Sequence, residues 1–210
     1  MWYNLVYKMN LNEIKKYLED FSGKKERTIA IVDFGNVEKW KNSTGWIVGI
    51  KELGKLVKHF SLGKKFLRRF YYGSDFGKNE NSQTISLWSK AMIERANMNS
   101  FEIVTKRVKY IHSQNNISGF EKKCDLDVEM TIDLIREHNN YDTIILFSGD
   151  GDLMYAIKYL KENFKKNCIV FGARGHVGRE VFDAKKNGII DNILFAEDFE
   201  YRLNKDRFRK

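Results

Sequence analysis

The residues with the most chemistry to offer are five aspartates in three separated segments: Asp33 at the end of Ile29-Ala30-Ile31-Val32, Asp125 and Asp127 around Leu126, and Asp150 and Asp152 in Ser148-Gly149-Asp150-Gly151-Asp152. Carboxylates held a few ångströms apart repel, so a cluster of them either takes up protons or binds a cation. Oxygen donors with no His or Cys beside them favour a hard divalent ion, Mg²⁺ or Mn²⁺, over zinc. Such ions commonly act on phosphate esters, one or two of them acidifying water and steadying the leaving oxygen. Taken singly, each Asp is equally a helix cap or a turn residue. The metal chemistry depends on whether the fold brings the three segments together.

The hydrophobic pattern says that it does. Apolar runs of strand length alternate with longer segments of helical period, which predicts an α/β fold with a parallel sheet covered by helices. Strands are expected over Thr28–Val32, Phe66–Tyr72, Phe101–Tyr110, Thr143–Phe147, Cys168–Phe171 and Asn192–Phe195. Helices are expected over Leu11–Phe21, Trp46–Phe60, Gln83–Arg95, Asp127–His138, Leu153–Glu162 and Val177–Lys186, with a mobile loop at His112–Gly119. In right-handed βαβ units the carboxyl ends of strands and the amino ends of helices share one edge. Asp33, Asp125, Asp127, Asp150 and Asp152 all fall at that edge.

Several neighbours join them. Asn36 lies three residues after Asp33, where its amide could bind a phosphate, orient Asp33, or simply make a turn. The Ser148 hydroxyl can hydrogen-bond a carboxylate, and Gly149 and Gly151 let the backbone curve tightly. The loop Gly172–Arg179 enters a helix at the same edge, so Arg174, His176 and Arg179 are candidates for phosphate contact or for a solvated basic loop. Glu129, one turn from Asp125, is a weaker alternative ligand. Asp133 is six positions, about 240° of helix, from Asp127 and so shares no face with it. Lys106, Arg107 and Lys109 beside Tyr110 mix charge with a stacking surface, a composition of single-strand paths and of ordinary half-buried strands alike.

Composition narrows the class. The chain has 210 residues, 42% hydrophobic and 14% aromatic, which is enough for one globular domain and argues against disorder. A net charge of +9 suits a polyanionic partner. No apolar stretch approaches the roughly 20 residues that span a bilayer, and the amino terminus has no basic leader with an apolar core. The two cysteines, Cys124 and Cys168, and four scattered histidines offer neither a disulfide framework nor a zinc spacing, so a reducing cytoplasm is expected. Three segments are expected: a helical extension over 1–27, the main domain over 28–199 and a basic tail over 200–210.

The segments IAIVDFGN, CDLDVEMTIDLI and TIILFSGDGDL resemble the three motifs of NYN domains, a PIN-like nuclease family, over about Thr28 to Phe199. The resemblance implies a Rossmann-like three-layer sandwich with a mainly parallel sheet, divalent-metal dependence and endoribonuclease activity. It carries the family's acidic positions onto Asp33, Asp127, Asp150 and Asp152, with Asn36 as the accompanying amide and Ser148 as the hydroxyl. Asp125, two residues before Asp127, leaves the register of the helix ligand open between them, and Phe34 stands where the family more often has a small or polar residue. The expectation is a Mg²⁺- or Mn²⁺-dependent phosphodiesterase cutting single-stranded RNA, with Asp33, Asp127, Asp150 and Asp152 holding one or two ions and Asn36, Ser148, Arg174 and Arg179 on the substrate. DNA is the alternative substrate, and a non-catalytic module that binds RNA or protein is the alternative function. Target selection falls to the domain itself, a second copy of it or an accessory protein.

Overall fold

The computed structural model describes residues 8–23, 27–60, 66–79, 81–113 and 119–206. Its elements are α1 (Leu11–Gly23), β1 (Thr28–Asp33), α2 (Phe34–Lys39), α3 (Lys41–Thr44), α4 (Ile50–His59), β2 (Phe66–Ser74), α5 (Leu87–Met98), β3 (Glu102–Arg107), β4 (Lys109–His112), β5 (Phe120–Lys123), α6 (Asp127–Arg136), β6 (Thr143–Phe147), α7 (Met154–Phe164), β7 (Asn167–Gly172), α8 (Arg179–Lys186), β8 (Asn192–Phe195) and α9 (Glu200–Leu203).

Central strands of a parallel sheet are covered on both faces and therefore read as unbroken apolar runs. β1 and β6 have that character, and Ile29, Ile31, Ile144 and Leu146 are fully buried. Among the described residues six strands pair in the order β3-β2-β1-β6-β7-β8, every pairing parallel. One face carries α1, α4 and α5, with Ile14, Leu53 and Met92 packing against Ala30 and Val32. The other carries α6, α7 and α8, whose Met130, Ile157 and Val181 pack against Ile29 and Ile31. This is the expected α/β three-layer sandwich.

Chain order reverses between β1 and β6, so a crevice opens outside the carboxyl ends of those two strands. Val32 pairs with Phe147, and the next residues, Asp33 and Ser148, stand side by side at that crevice.

The structure differs from the expected elements at several points. The chain turns helical directly after Asp33, which caps α2 by accepting from the Asn36 amide, and the helix expected from Trp46 begins only at Ile50. The helix expected from Gln83 starts after Ser86, whose hydroxyl accepts from the Ser89 amide as an N-cap. The strand expected over Phe101–Tyr110 ends at Arg107, and Lys109–His112 pairs instead with Phe120–Lys123 as an antiparallel hairpin. The basic end folds in part: Leu203 is buried, and Asn204 bridges to Val48. Of the expected mobile loop, 114–118 lie outside the described residues, as do 207–210 of the basic end.

Candidate metal centre

Three of the aspartates meet. One carboxylate oxygen from each of Asp127, Asp150 and Asp152 lies within 4.8 Å of the others. Asp127 is the first residue of α6, and Asp150 and Asp152 occupy the loop that joins β6 to α7. Asp33 lines the same cleft of about 780 Å³, together with Asn36 and Asp125.

Hydrogen bonds fix these side chains. Asp33 receives the Asn36 amide on Oδ1, at 3.2 Å, and the Ser148 hydroxyl on Oδ2, at 3.0 Å. The same Ser148 oxygen accepts from the Asp150 amide at 3.1 Å, and Asp150 Oδ1 accepts from the Asp152 amide at 3.1 Å. Asn36 Oδ1 receives both the Gly149 amide and the Trp40 indole, each at 2.9 Å, and so ties the loop after β1 to the loop after β6. Gly149 is packed so closely that a Cβ there would collide with the carbonyl oxygen of His176. The Gly178 amide donates to the Gly149 carbonyl at 2.8 Å, which seats the aspartate loop on the loop after β7.

The electrostatics separate Asp125 from Asp127. Asp125 Oδ1 accepts the Asp127 amide at 3.0 Å, and that bond above all holds the Asp125 carboxyl below its ordinary value. Asp127 is pushed up to about 7 by burial first, and then by the carboxylates of Asp125, Asp150 and Asp33. Burial also pushes Asp33 up, against the opposing bonds from Asn36 and Ser148. A dense set of oxygen donors that raises its own protonation is the donor chemistry of a hard divalent cation, and Mg²⁺ or Mn²⁺ fits it.

The remaining sequence candidates sit elsewhere. The Arg174 guanidinium grips both oxygens of Asp198 at 2.8 Å and stacks 4.7 Å from the centre of the Phe195 ring. Arg179 is exposed at the start of α8, 3.6 Å from Asp183. Neither lines the cleft, and His176 does not either. Glu129 pairs with Lys106 at 2.8 Å, and Asp133 is buried in a network with Arg69 and Tyr71. The cleft instead presents Lys39, Trp88, Ile111, Lys122 and Lys123, none of which the sequence motifs singled out. The pair Lys122-Lys123, directly before the Cys124–Asp127 segment, was the one available sign.

A family model for the NYN domain matches residues 8–193. The chain belongs to the NYN domain family. Its relatives include the low amplitude and bright protein LabA of Synechococcus elongatus, 33% identical over 84 residues. That match takes in 40% of this chain and 45% of LabA, so the chain spans less than half of that relative. Among solved structures, a protein of unknown function from Vibrio parahaemolyticus superimposes with a TM-score of 0.58 at 21% identity, over 81% of this chain and 93% of that one. This likeness is one of fold. The NYN domain described here therefore combines a nuclease-like fold with an acidic cluster fit for a metal. Among the described residues, no helix is long and apolar enough to cross a membrane.

Proposed function

We propose that this NYN domain is a Mg²⁺- or Mn²⁺-dependent endoribonuclease that hydrolyses phosphodiester bonds of single-stranded RNA in the cytoplasm. The observation that carries the reading is the convergence of Asp127, Asp150 and Asp152 to within 4.8 Å at a cleft of about 780 Å³ that Lys39 and Lys123 also line. When bound, a divalent ion there supplies acidified water and neutralises charge on the phosphate.

The protein's own groups do the rest. Asp127, Asp150 and Asp152 would hold the ion, and Asp33, oriented by the Ser148 hydroxyl and the Asn36 backbone amide, would take up a proton from water. The raised carboxyl of Asp33 suits that exchange, because a base acts best with a pKa moved toward the working pH. Asn36 holds the two acidic loops in register, leaving its amide nitrogen for the phosphate. Lys39 and Lys123 line the cleft and supply positive charge to the strand. Arg179, exposed beyond the cleft, extends the track for the RNA backbone, while Arg174 holds the loop after β7 through Asp198.

The test is cleavage of labelled single-stranded RNA and DNA with Mn²⁺, Mg²⁺ or EDTA, beside the Asp150→Asn variant. RNA cut by the wild type alone, and only with metal, supports the reading. RNA left whole while both proteins bind it equally points to a binding module, and DNA cut in preference points to a DNA-directed nuclease.

A further inference from the structure

We propose that Trp88 is a stacking platform for an unpaired nucleobase, so that this cleft selects single strands over duplex. The inference rests on the nuclease reading only for the chemistry that follows binding. The Trp88 side chain is 61% exposed, yet it lines the same cleft as the acidic cluster. Its backbone is not free to retreat. Ser86 caps α5 through the Ser89 amide, and the buried Ser89 hydroxyl accepts the Asp75 amide at 3.0 Å and lies 3.1 Å from the Tyr72 hydroxyl.

Ile111 of the β4–β5 hairpin, 46% exposed, lines the same cleft. The hairpin is anchored to the same point, since the Tyr110 hydroxyl and the Lys122 ammonium both donate to Asp75 at 2.7 Å. Two apolar side chains from separate elements are thus held at one cleft by one residue beyond β2. A large aromatic surface kept in water on a fixed scaffold binds flat apolar groups at small cost in entropy. In a nucleic acid the flat group is the base. Its face is covered in a duplex and open in an unpaired strand, and every base has such a face, so the platform reads strandedness and not sequence. Lys39 and Lys123 in the same cleft suit the charged backbone that accompanies the base.

The experiment is fluorescence anisotropy with a labelled uridine homopolymer, a thymidine homopolymer, an abasic strand and an RNA duplex. It uses wild type, Trp88→Ala and Trp88→Phe, with Ca²⁺ on the carboxylates. Loss of one base stack is expected to weaken binding of both homopolymers roughly 5- to 100-fold in Trp88→Ala. Trp88→Phe should recover most of it, with abasic and duplex binding unchanged. Equal homopolymer affinity in wild type and Trp88→Ala overturns the proposal, as does an equal loss on the abasic strand. Cleavage with Mn²⁺, followed in parallel, separates the two readings. A wild type that binds through Trp88 and never cuts sinks the nuclease alone; one that cuts RNA while Trp88→Ala binds like wild type sinks the platform alone. A wild type without affinity for either homopolymer sinks both.

Discussion

The Ser148 hydroxyl donates to Asp33 Oδ2 across 3.0 Å, joining residues 115 apart at the reversal point of the sheet. β1 and β6 are neighbours in register, so the residues that follow the Val32–Phe147 pair reach the crevice at the same height. The apolar strands thus set the spacing of two polar groups that no local segment could hold together.

Removing that hydroxyl tests what it does. The bond favours ionised Asp33, so Ser148→Ala moves the Asp33 carboxyl further up, since burial already raises it. The Asp150 amide loses its acceptor in the same step. Bonds to charged groups contribute about 1.5–3 kcal/mol, so RNA cleavage is expected to fall roughly 10- to 100-fold. The acid limb of the pH–rate profile should move to higher pH. A profile unchanged in shape and height would mean that Asp33 takes no proton in the reaction.

Asp127 gives a pH dependence with a definite sign. Its folded value, about 7, lies above the ordinary 3.8, so the native metal-free state keeps a proton that the unfolded chain releases earlier. The stabilisation is present below the ordinary value and is lost as pH rises to about 7. In EDTA, the thermal midpoint of Asp127→Asn relative to wild type should therefore rise between about pH 5 and about pH 8. Divalent metal narrows that difference at high pH: an ion at 100 times its dissociation constant adds about 2.7 kcal/mol, or roughly 5–10 °C, to wild type. Differential scanning calorimetry at both pH values, with EDTA or Mn²⁺, reads these differences.

The helix that begins with Asp127 is anchored from below. Arg69, 4% exposed on β2, holds Asp133 at 2.7 Å and Glu137 at 3.0 Å, and the Tyr71 hydroxyl donates to Asp133 at 2.8 Å. Arg69→Leu removes the charge-assisted bonds to both Asp133 and Glu137 and leaves buried Asp133 to Tyr71 and the exposed Arg136, which costs about 3–5 kcal/mol. The thermal midpoint should drop by roughly 6–20 °C. Tyr71→Phe removes a single bond and should cost about 1 kcal/mol, as read from denaturant unfolding. Equal losses in the two variants would show that Arg69 does not carry the network.

These residues mark where the sequence is legible. Asp33, Asp127, Asp150 and Asp152 could be assigned to one edge because each follows or precedes an apolar run, and a parallel sheet turns that order into proximity. Asp133 and Arg174 could not be read the same way. Their partners, Arg69 and Asp198, are distant in sequence, and ion pairs at such separations leave no periodic trace. The helix Phe34–Lys39 was missed because six residues are too few to show a period, and its start depends on the Asp33 cap. The hairpin was missed because Phe120–Lys123 lacks alternation, so the strand before it read as one continuous run. Trp88 escaped for a related reason: a single aromatic at a helix start carries no pattern until Ser89 and Asp75 show that it is held at the cleft.

Gly149 shows how little room the acidic loop has. A methyl group there meets the His176 carbonyl, which is backbone and cannot rotate away, and the Gly178 amide already binds the Gly149 carbonyl on the same side. Gly149→Ala must therefore displace the segment from Ser148 to Asp152, and with it two of the three carboxylates that converge. The cost in stability is that of overpacking, about 1–3 kcal/mol. The cost in cleavage is larger, because a shift of about 1 Å in a catalytic group loses on the order of 100-fold. The variant is expected to melt as a folded protein, to gain less than wild type from Mn²⁺ in its thermal midpoint, and to cut RNA at about one hundredth of the wild-type rate or below. Full cleavage with full Mn²⁺ stabilisation would mean that the loop has slack the close packing denies, and that the carboxylate geometry does not depend on it.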